Sequence, residues 1–205
     1  MADLNKFIQL QNFKQVFKNG TRKNRFVMDF GYVNFSLFTS LNPIVAGSEG
    51  DLAFLIESTS LPGKTVKSND RDFQGMKTFF AGDAEPPSGF KCTFKSDIDG
   101  KAYNFCEAWL NSKKNNMTNS YGKKSIIEHP LVVWQTDDEG EKIAAWILIG
   151  CVINDISGMD KAQGSGEFET FDAAWDIEFR EVIRGRGTAL TAAVETFVRT
   201  YQIVG

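Results

Sequence analysis

The segment Phe171-Asp172-Ala173-Ala174-Trp175-Asp176-Ile177-Glu178-Phe179-Arg180 decides the fold class. Phe171, Ala173, Trp175, Ile177 and Phe179 alternate with Asp172, Ala174, Asp176, Glu178 and Arg180. Successive side chains of a strand point to opposite faces, so this pattern predicts a strand with one buried face and one solvated, acidic face. Its nearest apolar relative, Lys142 to Ile153, is apolar on both faces and reads as a central strand. Ser125 to Trp134 pairs with that strand through the acidic turn Asp137-Asp138-Glu139-Gly140.

Further outward, Phe90, Cys92 and Phe94 alternate with Lys91, Thr93 and Lys95, which predicts another strand. Phe105, Ala108 and Trp109 recur at helical spacing and give an interior helix ending at Asn115-Asn116. Runs from Thr65 to Asp72 and from Gly75 to Gly82 predict a long β-hairpin, weakly apolar on both faces and short of partners within its own chain. Leu52 to Ser58 and Arg25 to Tyr32 read as strands, whereas the Ser/Asn/Gly-rich stretch 33–51 reads as a loop insertion. Leu4 to Lys18, with Phe7, Leu10, Val16 and Phe17, reads as a short N-terminal helix. At the other end, Leu190, Val194, Phe197, Val198 and Tyr201 fall on one face of a helix that Thr188 can cap, behind the hinge Arg184-Gly185-Arg186-Gly187. Runs of strands interrupted by single helices favour a mainly β fold: an antiparallel sandwich or barrel with one packed α-helix.

Composition narrows function by exclusion. The chain has 205 residues, 42% of them hydrophobic, a formal net charge of −3, one His and three Cys. That is one domain's worth of ordinary globular sequence, too acidic for tight phosphate-backbone binding. His129 alone cannot build a two-His metal site, and Cys92, Cys106 and Cys151 lack metal or disulfide spacing. Gly63-Lys64-Thr65 lacks the first glycine of a phosphate loop, with Ser58 in its place, and Asp97-Ile98-Asp99-Gly100 lacks the closing Glu of a calcium loop. Asp172 and Asp176 would stand roughly 13 Å apart on a strand, too far for a glycosidase pair. The longest apolar run is too short to span a bilayer, and the first residues lack a signal-peptide pattern, so folding in the cytoplasm is the expectation. No catalytic constellation, metal site or cofactor site emerges. The residues favour a structural or assembly protein.

The order of segments resembles the tail-tube proteins of contractile-tailed bacteriophages, relatives of type VI secretion tubes and phage-tail-like particle tubes. The resemblance rests on Phe13 to Lys18, then Asn24-Arg25-Phe26 opening a strand, and a strand running into Leu61-Pro62-Gly63. It continues through Gly75-Met76-Lys77 to Phe80-Ala81-Gly82-Asp83, Phe90 to Phe94, and the Trp-bearing helix Phe105 to Leu110. Gly150 to Ile156 and Phe168 to Glu181 complete it as a closing hairpin. The stretch 33–51 and the tail after Arg184 depart from the family's pattern.

The resemblance implies three parts: an N-terminal assembly segment (1–23), a tube β domain (24–184) and a C-terminal helical extension (185–205). It implies homohexameric rings that stack into the inner tail tube of a virion, assembled in the host cytoplasm, through which phage DNA passes without sequence-specific binding. Partners would be further copies, the sheath, baseplate and tail-terminator proteins, with no membrane and no catalysis. The expected inter-subunit hairpin residues are Lys64, Val66, Lys67, Arg71, Phe73, Met76, Lys77, Phe79 and Phe80. Asp172, Asp176 and Glu178 are the lumen candidates, and Leu190, Val194, Phe197, Val198 and Tyr201 the C-terminal contact face. Alternatives are a single-ring baseplate initiator or tail terminator, and a small ligand-binding β-barrel.

Overall fold

The computed structural model describes residues 25–45, 49–63, 65–73, 76–85, 87, 89–115, 120–158 and 169–204. The N-terminal helix expected within 1–23 lies outside them, as does Lys64. The elements are β1 (Phe26–Asp29), α1 (Phe35–Leu41), a 3-10 turn (Pro43–Val45), α2 (Glu49–Leu55), β2 (Ile56–Ser60), β3 (Val66–Phe73), β4 (Met76–Ala84) and β5 (Phe90–Lys95). Then follow α3 (Lys101–Lys113), β6 (Lys114–Asn115), β7 (Ser120–Tyr121), α4 (Lys124–Ile127), β8 (His129–Thr136), β9 (Lys142–Ile156), β10 (Thr170–Asp176), β11 (Phe179–Arg184) and α5 (Gly187–Val204). Seven strands form one sheet in the order β1-β8-β9-β10-β5-β2, with β11 also on β9, while β3 and β4 form a two-stranded sheet of their own. The pairs β9–β10, β10–β5 and β5–β2 are antiparallel, so the expected antiparallel β architecture with helices is observed.

The described residues divide into two compact units, Met28–Val132 with Ile147–Glu181, and 25–27 with Val133–Trp146 and 182–204. In the larger unit the apolar faces of β5 (Phe90, Cys92, Phe94) and β10 (Phe171, Ala173, Trp175) are buried, as their alternation dictates. Phe94 stacks on Phe171 at 5.3 Å and Phe90 on Trp175 at 5.1 Å between ring centroids. Helix α3 buries Ala102, Phe105, Cys106, Ala108 and Trp109, a stripe at helical spacing. Its first turn follows Gly100, whose φ of 64° lies in the left-handed region that Gly occupies without a Cβ clash. Trp109 meets Trp175 at 6.2 Å, so this helix is the one that docks on β10.

Four sequence expectations need correction in this unit. The stretch 33–51 is not a loop: Phe35 and Phe38 lie on one face of α1 and pack on Phe105 at 5.1 and 5.6 Å. Val45 and Leu52 are fully buried beside them. Ser and Asn dilute the pattern, but two phenylalanines one turn apart suffice once α3 offers a partner. Leu52 to Leu55 are accordingly helical, and the strand expected there starts only at Ile56. Likewise Lys124–Ile127 is a turn of helix, because Trp109 Nε1–H donates to the Ile127 carbonyl at 2.7 Å and holds that backbone against α3. The apolar face of β10 also ends early. Glu178 N–H donates to the Ile149 carbonyl, β10 stops at Asp176, and Phe179 begins β11 half-exposed instead of continuing the buried row.

In the smaller unit, Arg25 donates to the Asp137 carbonyl at 2.7 Å and pairs with Asp138 at 3.0 Å, while Asp137 Oδ1 accepts from the Glu139 and Glu141 amides. Lys142 lies 3.8 Å from the centroid of the Trp134 ring. Helix α5 buries Leu190, Val194 and Val198, at the i, i+4, i+8 spacing read from sequence. Phe197 is half-buried and Tyr201 is exposed at the margin of that stripe. The hydroxyls of Thr191, Thr196 and Thr200 donate back to the carbonyls of Gly187, Ala192 and Thr196.

Candidate assembly surfaces

The solvated face of β2, β5, β10 and β9 carries a network of polar side chains in the larger unit. Register places Ser58 beside Thr93, Ser60 beside Lys91, Asp172 beside Thr93, and Ala174 between Lys91 and Asp155. Small hydroxyl and methyl side chains therefore separate the charges. Asp172 accepts from Lys91 Nζ and from Thr93 Oγ1, both at 2.8 Å, and Ser58 donates to Thr93 at 3.1 Å. The Lys91 and Thr93 hydrogen bonds hold the Asp172 carboxyl below its ordinary pKa, and the same carboxylate raises that of Lys91. Asp176 accepts from the Asn154 amide at 2.8 Å.

Glu178 does not continue that face as a strand residue. It stands in the break after β10, accepts from Lys124 Nζ at 2.6 Å, and covers Gly150. Lys124 also pairs with Glu128 at 3.4 Å, and partial burial, then Glu178, raises the Glu128 carboxyl. The sequence pattern found the three carboxylates but missed Lys91, Lys124 and Asn154, which compensate them. Lys91 was visible on the polar side of β5, but nothing local reveals that β5 lies beside β10.

The hairpin β3–β4 is hydrogen-bonded within itself and not to the seven-stranded sheet. Its register sets Arg71 opposite Thr78, Phe73 opposite Met76, Phe79 opposite Asp70 and Phe80 opposite Asn69. Each side of the ribbon thus draws both apolar and polar residues. Val66 is 52% exposed and Met76 69% exposed, Lys77 is exposed, and Lys67 pairs with Glu85 at 3.2 Å. On the main sheet β1 and β2 terminate the hydrogen-bonded path. Two-stranded ribbons and open edges carry unpaired backbone donors and acceptors that another strand can satisfy.

The cysteines and the histidine are buried. Cys92, Cys106 and Cys151 are buried, and desolvation pushes all three thiols up, Cys92 to about 12. His129 is buried against Phe38 and Trp109, each with ring centroids 5.5 Å away, and burial lowers its pKa. Among the described residues no three His, Cys, Asp or Glu side chains converge on a metal position. No helix among them is long and apolar enough to cross a membrane.

No protein-family model and no curated protein matches the sequence. Solved structures do. The tube-terminating cap of the anti-feeding prophage is similar with a TM-score of 0.58 at 12% identity, over 80% of this chain and 91% of that one. A chain of the PVC extracellular contractile injection system, in its extended sheath-tube complex, is similar with a TM-score of 0.54 at 14% identity, over 80% and 92%. The fold is that of a contractile-tail tube protein. At such identity the likeness carries the architecture, and any role must be argued from this chain's own surfaces.

Proposed function

We propose that the chain is a structural subunit of a contractile tail, forming homohexameric rings that stack into the inner tube. The β3–β4 hairpin is the observation that carries this reading. A two-stranded ribbon hydrogen-bonded only within itself among the described residues, with Val66 on β3 and Met76 on β4 exposed, leaves open edges that adjacent copies can extend and cover. Val66, Lys67, Arg71, Phe73, Met76, Lys77, Phe79 and Phe80, with Lys64 preceding them in the sequence, are the contact residues. The polar face bearing Asp172 and Asp176 lines the bore, with Glu178 at its margin. Leu190, Val194 and Val198 anchor α5 in its own unit, while Phe197 and Tyr201 offer its margin to a neighbouring copy or the sheath. In a phage this conduit delivers DNA, and the chain reaches the virion tail after assembly in the host cytoplasm.

The likeness to a tube-terminating cap supports a second reading, a terminator or baseplate ring that does not polymerise. Negative-stain microscopy of the purified chain separates the two: long tubes support the tube subunit, and single rings the terminator or initiator. A chain that stays monomeric at high concentration overturns both readings and returns a small binding protein. For the bore, Asp172→Lys with Asp176→Lys should leave tubes intact and slow DNA ejection; unchanged ejection removes that face from the path.

A further inference from the structure

The first turn of α3 is surrounded by features the tube reading does not use. Phe54 is 87% exposed and Ile98 fully so, and Leu41 is more than half exposed. All three are tied to this turn. Leu41 precedes Asn42, whose amide donates to Asn104 at 2.9 Å; Ile98 lies in the turn leading to Gly100; Phe54 lies one helical turn past Asp51, which pairs with Lys101 at 3.2 Å. Lys101 also feels Asp99 and Asp97, so three carboxylates gather around one ammonium. Asp97 Oδ1 is shut off from water without having gained a donor. A carboxylate oxygen withdrawn from water favours an incoming donor.

The residues before β1 have the complementary chemistry. Residues 1–24 carry Lys6, Lys14, Lys18, Arg22 and Lys23 against Asp3 alone, with Leu4, Phe7, Ile8, Leu10, Phe13, Val16 and Phe17 between them. Apolar anchors flanked by cations suit exposed apolar side chains set among carboxylates around one turn. We propose that the N-terminal segment of a second copy docks on this patch, its aromatic residues against Phe54, Leu41 and Ile98 and its lysines over Asp97, Asp99 and Asp51. The second copy comes from the proposed assembly, on which this inference rests.

Disulfide trapping tests it, because the three native thiols are buried and unreactive. Full chains carrying Phe54→Cys are mixed with separately tagged full chains carrying Phe7→Cys, Leu10→Cys or Phe13→Cys, then oxidised. At least one N-terminal position should give the mixed pair as the main cross-linked species. Adding Asp99→Lys, or raising the salt to 0.5 M, should lower its yield about threefold or more through loss and screening of the charge contacts. Mixed pairs no more abundant than those from a Glu195→Cys surface control overturn the proposal. So does a Phe13→Cys/Phe54→Cys double variant that closes only within single chains. Microscopy of the wild-type chain keeps the two readings apart. Rings or tubes without the mixed pair refute the docking alone, and a mixed pair in chains that never assemble supports the docking while the tube reading falls.

Discussion

Gly150 gives the sharpest test of the packing. It sits within β9 at a φ of +66°, and a Cβ built there would lie 2.8 Å from Glu178 Cβ and 2.6 Å from its Cγ. Those atoms are close to the Glu178 backbone, which is itself pinned by its amide's bond to the Ile149 carbonyl, so they cannot swing away as a side-chain tip would. For Gly150→Ala the left-handed backbone costs about 1–2 kcal/mol and the overlap about 1–3 more. The expected loss is about 2–5 kcal/mol. For a chain of this size that lowers the thermal midpoint by about 2–4 °C per kcal/mol. Urea denaturation of Gly150→Ala, Glu178→Ala and the double variant separates the two contributions. The double variant should recover the part of the overlap made with the Glu178 Cγ and carboxylate, and keep the backbone cost and the contact with the remaining Cβ, a coupling that additive sites do not show. A loss below about 0.5 kcal/mol in Gly150→Ala, or strict additivity in the double variant, refutes the reasoning.

Stability should also report on His129. Burial depresses the folded pKa below 6.5, so the unfolded chain binds the extra proton, and stability is full above about pH 6.5 and declines as pH falls toward the folded value, by at most about 1.4 kcal/mol per pH unit. Glu128, raised by partial burial, acts oppositely: its contribution is present at low pH and is lost as pH rises through its folded pKa. With one histidine in the chain, His129→Gln should flatten urea-derived stability between pH 7 and 5; an unaltered slope contradicts the assignment. Trp109→Phe keeps the ring contacts with Phe38 and Phe105 but strips the Ile127 carbonyl of its donor, so a loss of about 2–4 kcal/mol is expected from calorimetric midpoints. Asp172→Asn, on the solvated face, should leave the unfolding midpoint within experimental error while abolishing the Asp172-dependent rise in the Lys91 pKa, measurable by NMR titration.

How much of this was legible depends on where the deciding partner lies in the chain. The alternation of β10 was readable because one segment contains both faces, and the stripe of α5 for the same reason. Helix α1 was not, because its seven residues carry two buried phenylalanines whose partner, Phe105, is more than sixty positions away; propensity alone favours a loop there. Helix α4 was misread for the same cause, its backbone held by Trp109 from another element. The end of β10 was hidden because the glycine that makes room for Glu178 sits on β9.

The same distance argument changes what the carboxylates mean. In sequence Asp172, Asp176 and Glu178 stand together as an acidic row. In the fold, Lys91 and Lys124 arrive from two other elements, and Asn154 from a third, so Asp172 and Glu178 are ion-paired and Asp176 is hydrogen-bonded to a neutral amide. A row of bare carboxylates would repel a polyanion along its whole length, and a row of lysines would hold it by counterion release. Lysine-paired carboxylates spaced by Ser58, Ser60, Thr93 and Ala174 do neither, since the Asp172 and Glu178 charges each meet a lysine within about 3 Å and the remaining field, that of Asp176 included, falls off over a Debye length of about 8 Å at physiological salt. If this face lines the bore, low friction comes from local charge pairing and short side chains more than from net charge. That makes Lys91 as much a part of the wall as Asp172.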